Sequence, residues 1–399
     1  MRVNTGKGTI ALWALFGIWS VSALTSLPGL AISPVLDDLT KIFKDATELD
    51  VQMLTSLPSL LIIPFILLAG HLSDAVGYIR LLYLGLSIFL LSGLLYFLCD
   101  SMVELIFVSA LLGVGAGIIT PLSTSLISRF FTGAERTRQF GYSSAINNMT
   151  LVVATAVTGY LAEVEWRLPF LVYLLPAVSL LLVPHIKGAE KTCGNVPSNE
   201  EVSFINGSSK IDYGSLVKFM LYYFFITFLV MVVSVNLSFL MQEYGHDSGS
   251  VGVVTSVFFL SIMLPGFFLN RILGILRGKI FLCCLLLIGC GLFLIFFNKA
   301  LVWMFIGVFL AGIGYGVAQP FIYDRTALVA TPDKVTFALA LVMTMNYVAI
   351  VLCPPVVDFL QKLLGVKSAG FAFALNGCFC AAGLVFLLLR GVVCKSCKR

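Results

Sequence analysis

"GVGAGIITPL" (residues 113–122) and "GIGYGVAQPF" (residues 312–321) are one phrase written twice in a chain of 399 residues. Each places Gly at three alternate positions and Pro four residues after the last: Gly113, Gly115, Gly117 and Pro121, then Gly312, Gly314, Gly316 and Pro320. Both sit in long apolar runs, 105–126 and 301–322, close to the ~20 residues a helix needs to cross lipid. Alternate glycines remove side-chain bulk, so neighbouring backbones approach closely. Proline inside a helix frees a carbonyl one turn back and bends the axis. The repeat therefore predicts two equivalent helices, half a chain apart, with Gly113, Gly117, Pro121, Gly312, Gly316 and Pro320 serving helix packing and bending.

The surrounding composition requires a membrane. Hydrophobic residues make up 59% of the chain and charged residues 11%, against roughly 45–50% and about 25% in soluble domains. The excess is gathered in runs at 10–30, 51–69, 81–98, 105–126, 168–183, 219–240, 251–269, 281–297, 301–322, 337–357 and 371–389. A twelfth, 142–161, is interrupted by Ser143, Ser144, Asn147, Asn148 and Thr150 and is counted with them. The expectation is an all-α membrane protein with twelve transmembrane helices in two pseudo-symmetric six-helix bundles.

Twelve spans place both termini on one side. With that side cytoplasmic, 19 Lys and Arg lie inside and six outside, the bias the positive-inside rule demands. The net charge of +5 then reports topology and not nucleic-acid binding. The first run is too long for a signal-peptide core and reads as a retained helix. Ten cysteines lie mostly in apolar runs or the tail, against a secreted disulfide framework, and the lone Cys394-x-x-Cys397 supplies too few ligands for a structural zinc. No metal or cofactor is expected.

One long polar stretch, 187–215, is rich in Gly, Ser, Asn and charge and reads as a cytoplasmic linker. It divides an N-terminal bundle (1–186) from a C-terminal one (216–399), which ends in a short basic tail. Further matches extend the repeat: Gly70 and Asp74 answer to Gly266 and Asn270, and "QFGYSSAINNMT" (139–150) aligns with "TFALALVMTMNY" (336–347). Parallel halves of this kind set a substrate path between them near the bilayer midplane.

The loop after the second span, "GHLSDAVGYIR" (70–80), resembles the signature of the major facilitator superfamily. Gly70, Leu72, Asp74 and Gly77 match it, while Ala75 replaces the usual Arg and the basic end is reduced to Arg80. "GYLAEVEWRLPF" (159–170) is similar to that family's ending of span five. The resemblance covers essentially the whole chain. It implies that Asp74 latches onto the start of span eleven, near Thr336, in the outward-open state, where a helix dipole favours a carboxylate. Gly70, Gly77, Arg80 and Arg136 belong to the same signature region, with Arg138, Asp324 and Arg325 as possible extensions. Two departures weigh against proton antiport: Ser109 stands where an Arg is frequent, and 152–159 lacks the Gly-Pro pair of the antiporter subgroup.

Neutral polar residues within the spans are the candidates for the path: Asn147 and Asn148, Asn236, Tyr315 and Gln319, Thr344, Asn346 and Tyr347, with Tyr323 adding aromatic surface. Amides in hydrocarbon need a partner on another helix or a watered cavity. Such a lining suits an uncharged or amphipathic organic solute. No acid stands convincingly at mid-depth; Asp37, at the outer end of span one, is the proton-coupling candidate. The expected function is secondary transport of a small organic solute by alternating access, with efflux favoured because "SLPGLAISPVLDDL" (26–39) resembles the first span of drug and sugar exporters. Uptake by facilitation or proton symport is the alternative within transport, and a non-transporting sensor or scaffold the alternative of another class. The expected setting is a bacterial inner membrane, as a monomer, with a small-molecule substrate, the lipid bilayer and a coupling proton as partners, and no enzyme chemistry.

Overall fold

A computed structural model describes residues 2–6, 8–28, 39, 42–43, 48–193, 211–246, 248–366 and 368–389. Asp37, most of the linker and the Cys394–Cys397 tail lie outside the described residues. The chain is helical almost throughout. The first half holds α1 (Leu12–Leu24), α2 (Glu48–Leu72), α3 (Tyr78–Leu95), α4 (Met102–Phe130), α5 (Gly133–Val164) and α6 (Pro176–Cys193). The second holds α7 (Tyr213–Glu243), α8 (Ser248–Leu276), α9 (Ile280–Phe297), α10 (Leu301–Val329), α11 (Val335–Leu363) and α12 (Gly370–Leu389). Among the described residues ten segments are long and apolar enough to cross a bilayer. One of them, Ser56–Leu95, takes in most of α2 and all of α3, and α1 is a shorter apolar helix, which accounts for all twelve. The protein is a multi-pass integral membrane protein.

Local chemistry fixes several helix ends. Ser101 and Glu104 form a reciprocal cap at the start of α4, satisfying two otherwise orphaned N–H groups. Asp212 caps α7 by accepting the Ser215 N–H at 3.2 Å. Hydrogen bonds from Ser215 hold that carboxyl below its ordinary range. A π-helical turn, Ser73–Gly77, joins α2 to α3, and Gly77 closes it at φ 90°, a left-handed value that favours glycine.

The glycine phrases explain how the bundles assemble. A Cβ on Gly113 would fall 2.6 Å from Pro58 O and one on Gly117 2.7 Å from Phe65 Cβ, both on α2. One on Gly115 would fall 2.8 Å from Phe89 N on α3. The copy repeats this geometry. Gly312 and Gly316 face Phe258, Ser261 and Ile262 of α8, while a Cβ on Gly314 would fall 2.8 Å from Cys284 O of α9. In each half the outer two glycines of the phrase admit one neighbour and the middle one admits another. Both helices run uninterrupted through Pro121 and Pro320.

Two large apolar cores result. One is dominated by α1–α6, with Leu15, Phe89, Leu112 and Tyr173 buried. The other belongs to α7–α12, with Leu229, Phe258, Leu292 and Phe373 buried. The first also takes in Tyr223, Ile322 and Leu339, so the halves are packed together at the end that carries the linker. A small cluster of Ile62, Ile66, Ala116, Ala340 and Met343 continues that seam.

The structure differs from the sequence expectation at three places. The linker is shorter than 187–215, because α6 continues to Cys193 with Ala189 buried, and Asp212 N donates to Val329 O of α10. The N-terminus forms a hairpin, Arg2–Asn4 against Thr9–Ala11, before α1. Its turn rests on the α4–α5 connection, where Thr132 N donates to Thr5 O at 3.0 Å. Residues Leu168–Leu174 form a 3-10 turn and not the start of a straight span, since Pro169 and Pro176 interrupt a continuous α-helix.

Candidate functional site

Between the halves, at mid-depth, lies a cavity of about 400 Å³. Helical periodicity builds its wall. From α5 come Phe140, Ser143, Ser144, Asn147, Asn148 and Leu151, one face at i, i+3, i+4, i+7, i+8 and i+11. From α7 come Thr227, Val230, Met231 and Ser234; from α10, Tyr315, Gln319 and Tyr323; from α11, Met343, Asn346, Tyr347 and Ile350. The remainder is drawn from α2, α4, α8 and the segment after α1. Among the described residues no Asp, Glu, Lys, Arg or His lines this cavity.

A hydrogen-bond network crosses it. Gln319 Nε2 donates to Tyr223 Oη at 3.0 Å, and the Tyr223 and Tyr323 hydroxyls are 2.7 Å apart. Gln319 Oε1 accepts from Ser144 Oγ at 3.2 Å, which joins α10 to α5 across the seam. Asn346 Oδ1 accepts from Thr227 Oγ1 at 2.8 Å and from Tyr315 Oη at 3.2 Å. Thr25 Oγ1 donates to Asn147 Oδ1 at 3.0 Å, and Asn148 Nδ2 donates to Ser144 O at 2.8 Å. These bonds satisfy amides that lipid could not.

At the linker end the seam is closed. A Cβ on Gly70 of α2 would meet Phe337 Cα of α11 at 3.4 Å and would press on Ala340. Gly141 of α5 faces Gly266 of α8 so closely that neither could carry a side chain. Asn270 Nδ2 donates to Ala134 O at the start of α5 at 2.9 Å. Deeper, Arg136 Nε donates to Asp324 Oδ1 at 3.0 Å, with both side chains only about 5% exposed. Asp74 does not reach the start of α11 directly. Its Oδ1 is 3.6 Å from Arg129 Nη2, and that nitrogen donates to Thr336 Oγ1 at 3.1 Å. The guanidinium, with five donors in a fork, serves both sides at once. Arg80 is exposed at the start of α3, and Arg138 turns to Tyr142 and Glu135 of its own helix.

Of the proposed path residues, Asn147, Asn148, Tyr315, Gln319, Asn346 and Tyr347 come together in the wall. Asn236 and Thr344 do not. Asn236 lies nine positions beyond Thr227, half a turn from the cavity face of α7. Thr344 is one residue off the α11 face and donates to Ala340 O in its own helix. Polarity alone selected both, where spacing from a neighbour excludes them. Arg129 and Tyr223 were missed. Tyr223 sits in an unbroken apolar run, and only its partners on α10 mark it. The Phe140–Leu151 stripe was readable, since its Ser and Asn residues repeat at helical spacing.

Comparison with known proteins places this architecture. The Major Facilitator Superfamily family model matches residues 14–205 and 219–393. The chain is similar to the multidrug transporter protein MdtP of Bacillus subtilis, 29% identical over 171 residues, 42% of this chain and 30% of that protein. It is similar to the quinolone resistance protein NorA of Staphylococcus aureus, 29% identical over 157 residues, 38% of this chain and 39% of that protein. The matches thus span well under half the length of these curated relatives. In fold it resembles the proton:xylose symporter XylE bound to 6-bromo-6-deoxy-D-glucose, with a TM-score of 0.75 at 15% identity over 94% of both chains. The human organic anion transporter MFSD10 gives 0.72 at 18% identity over 94% of this chain and 97% of that one. With paired helical phrases, a mid-depth cavity on the seam and a family match over nearly the full length, the chain belongs to the Major Facilitator Superfamily.

Proposed function

We propose that the protein is a secondary transporter that carries a small organic solute by alternating access, in the outward direction. The observation that carries this reading is a polar cavity on the seam between two matched bundles, with the seam packed shut at the linker end. The excess of Lys and Arg in the segments facing that end supports a cytoplasmic linker, hence an outward-facing state. Gly70, Asp74, Gly77 and Arg136 would hold this state, with Arg129 as the bridge, and Pro121 and Pro320 would let α4 and α10 flex as it is left. Export is supported by what the similar proteins are called, a multidrug transporter and a quinolone resistance protein.

Counterflow in liposomes tests the reading. Purified protein should exchange at least one labelled solute from a panel of sugars, drugs and metabolites, faster than protein-free liposomes. Alkalinisation outside cells on solute addition would show proton symport and import in place of export. Solute-induced thermal stabilisation with no exchange would identify a sensor and end the transport reading.

A further inference from the structure

The cavity has two chemically different walls, and the division follows the halves. Of fourteen lining residues contributed by the first half, ten are Ser, Thr or Asn. Of fourteen from the second half, ten are Val, Ile, Met, Phe or Tyr. The polar groups of the two walls are also committed differently. On the second wall two of the three lining tyrosines bond through their hydroxyls within their own half: Tyr323 with Tyr223, Tyr315 with Asn346. Their rings are what remains to face a ligand. On the first wall the amides are half used. Asn147 accepts through Oδ1 and Asn148 donates through Nδ2, while Asn147 Nδ2 and Asn148 Oδ1 have no partner among the described residues. One donor and one acceptor, on adjacent residues of one helix, therefore face the same space.

We infer that the cavity takes a neutral, two-faced solute whose hydroxyl-bearing edge lies on α5 and whose apolar face lies on α7, α8, α10 and α11, the chemistry of a small sugar glycoside with an apolar aglycone. Among the described residues the lining offers a cation no carboxylate and a phosphate no guanidinium, so neither charge recovers its lost hydration from them. A hydroxyl edge recovers its own from Asn147 and Asn148 and from the neighbouring Ser143. Ring and thioether surfaces accept a flat apolar group without needing a polar partner. A volume of about 400 Å³ is at the small end of pockets that enclose drug-sized ligands, which fits one sugar ring and one small aglycone.

This inference rests on the cavity being the substrate site of the proposed transporter, and the test separates the two. Binding is read as thermal stabilisation of the purified full-length protein, and transport as counterflow in liposomes. The probes are phenyl β-D-glucoside, methyl β-D-glucoside, ethidium and glucose 6-phosphate. Phenyl glucoside should bind best and methyl glucoside about tenfold more weakly, with ethidium and glucose 6-phosphate failing to compete at equal concentration. Asn147→Ala should weaken both glucosides about five- to tenfold and leave their ratio unchanged. Met231→Ala should lower the ratio of phenyl to methyl affinity. Ser143→Ala substitutes for Asn147→Ala if that variant loses too much stability. Tighter binding of ethidium or the phosphate, no binding of either glucoside, or unchanged affinities in the polar-wall variant would overturn the assignment. Glucoside binding without counterflow would sink transport and leave the assignment; counterflow of ethidium without glucoside binding would do the reverse.

Discussion

Arg136 and Asp324 illustrate how much one pair contributes. A guanidinium and a carboxylate about 5% exposed, 3.0 Å apart, sit between α5 of one half and α10 of the other. Asp324 alone would be an uncompensated charge in a low dielectric, so removing Arg136 costs about 3–5 kcal/mol. Arg136→Ala is expected to lower the thermal midpoint sharply in detergent, whereas Arg136→Met with Asp324→Leu should recover much of the loss. A double variant as unstable as the single one would show that the residues do not act as a pair. By contrast, Asp74 and Arg129 are 42% and 24% exposed and 3.6 Å apart. Water screens that pair, and its contribution is at most about 1 kcal/mol. The sequence made Asp74 conspicuous and left Arg129 unmarked, because a signature names the residue that recurs, not the partner that folding brings to it.

At the scale of the helix, the glycine phrases are packing devices whose cost of substitution depends on what a Cβ meets. Gly312→Ala would drive a methyl group into Phe258 O at 2.9 Å and into Ser261, and should destabilise by about 1–3 kcal/mol. Gly252→Ala, on the exposed side of α8 with nothing within 4 Å, should not destabilise and should gain up to about 1 kcal/mol from helix propensity. Unfolding of the two variants side by side checks this; equal effects would contradict the packing account. Twelve helices and their pairing by repeat were legible because lipid enforces length and apolarity, and because the phrase recurs. Which neighbour each glycine admits was not legible, since Gly115 and Gly113 look alike until α2 and α3 are in place. The site was half legible. Asn147, Asn148 and Gln319 stand out as amides in hydrocarbon, but Asn236 and Thr344 do so too, and only the face they occupy separates them. The N-terminal hairpin left no apolar pattern to read.

For the whole molecule, the repeat acts as a mechanical symmetry. Gly70 on α2 meets α11, and its counterpart Gly266 on α8 meets α5; Asp74 reaches Thr336 through Arg129, and its counterpart Asn270 bonds Ala134 directly. Two halves joined by such matched contacts at one end can rock only by breaking both sets, so in the proposed transport cycle the linker end is the gate and the cavity beyond it the compartment it seals. The most direct test pins that gate. Ala134 and Asn270 are exposed and already in contact, so Ala134→Cys with Asn270→Cys, in a background in which all ten native cysteines are replaced, should form a disulfide between the halves. A reporter at Ser143→Cys then reads the cavity with a membrane-impermeant thiol reagent. The account predicts labelling from both faces when the gate is reduced, and only from the face opposite the linker when it is cross-linked. Continued labelling from the linker face in the cross-linked protein would contradict it.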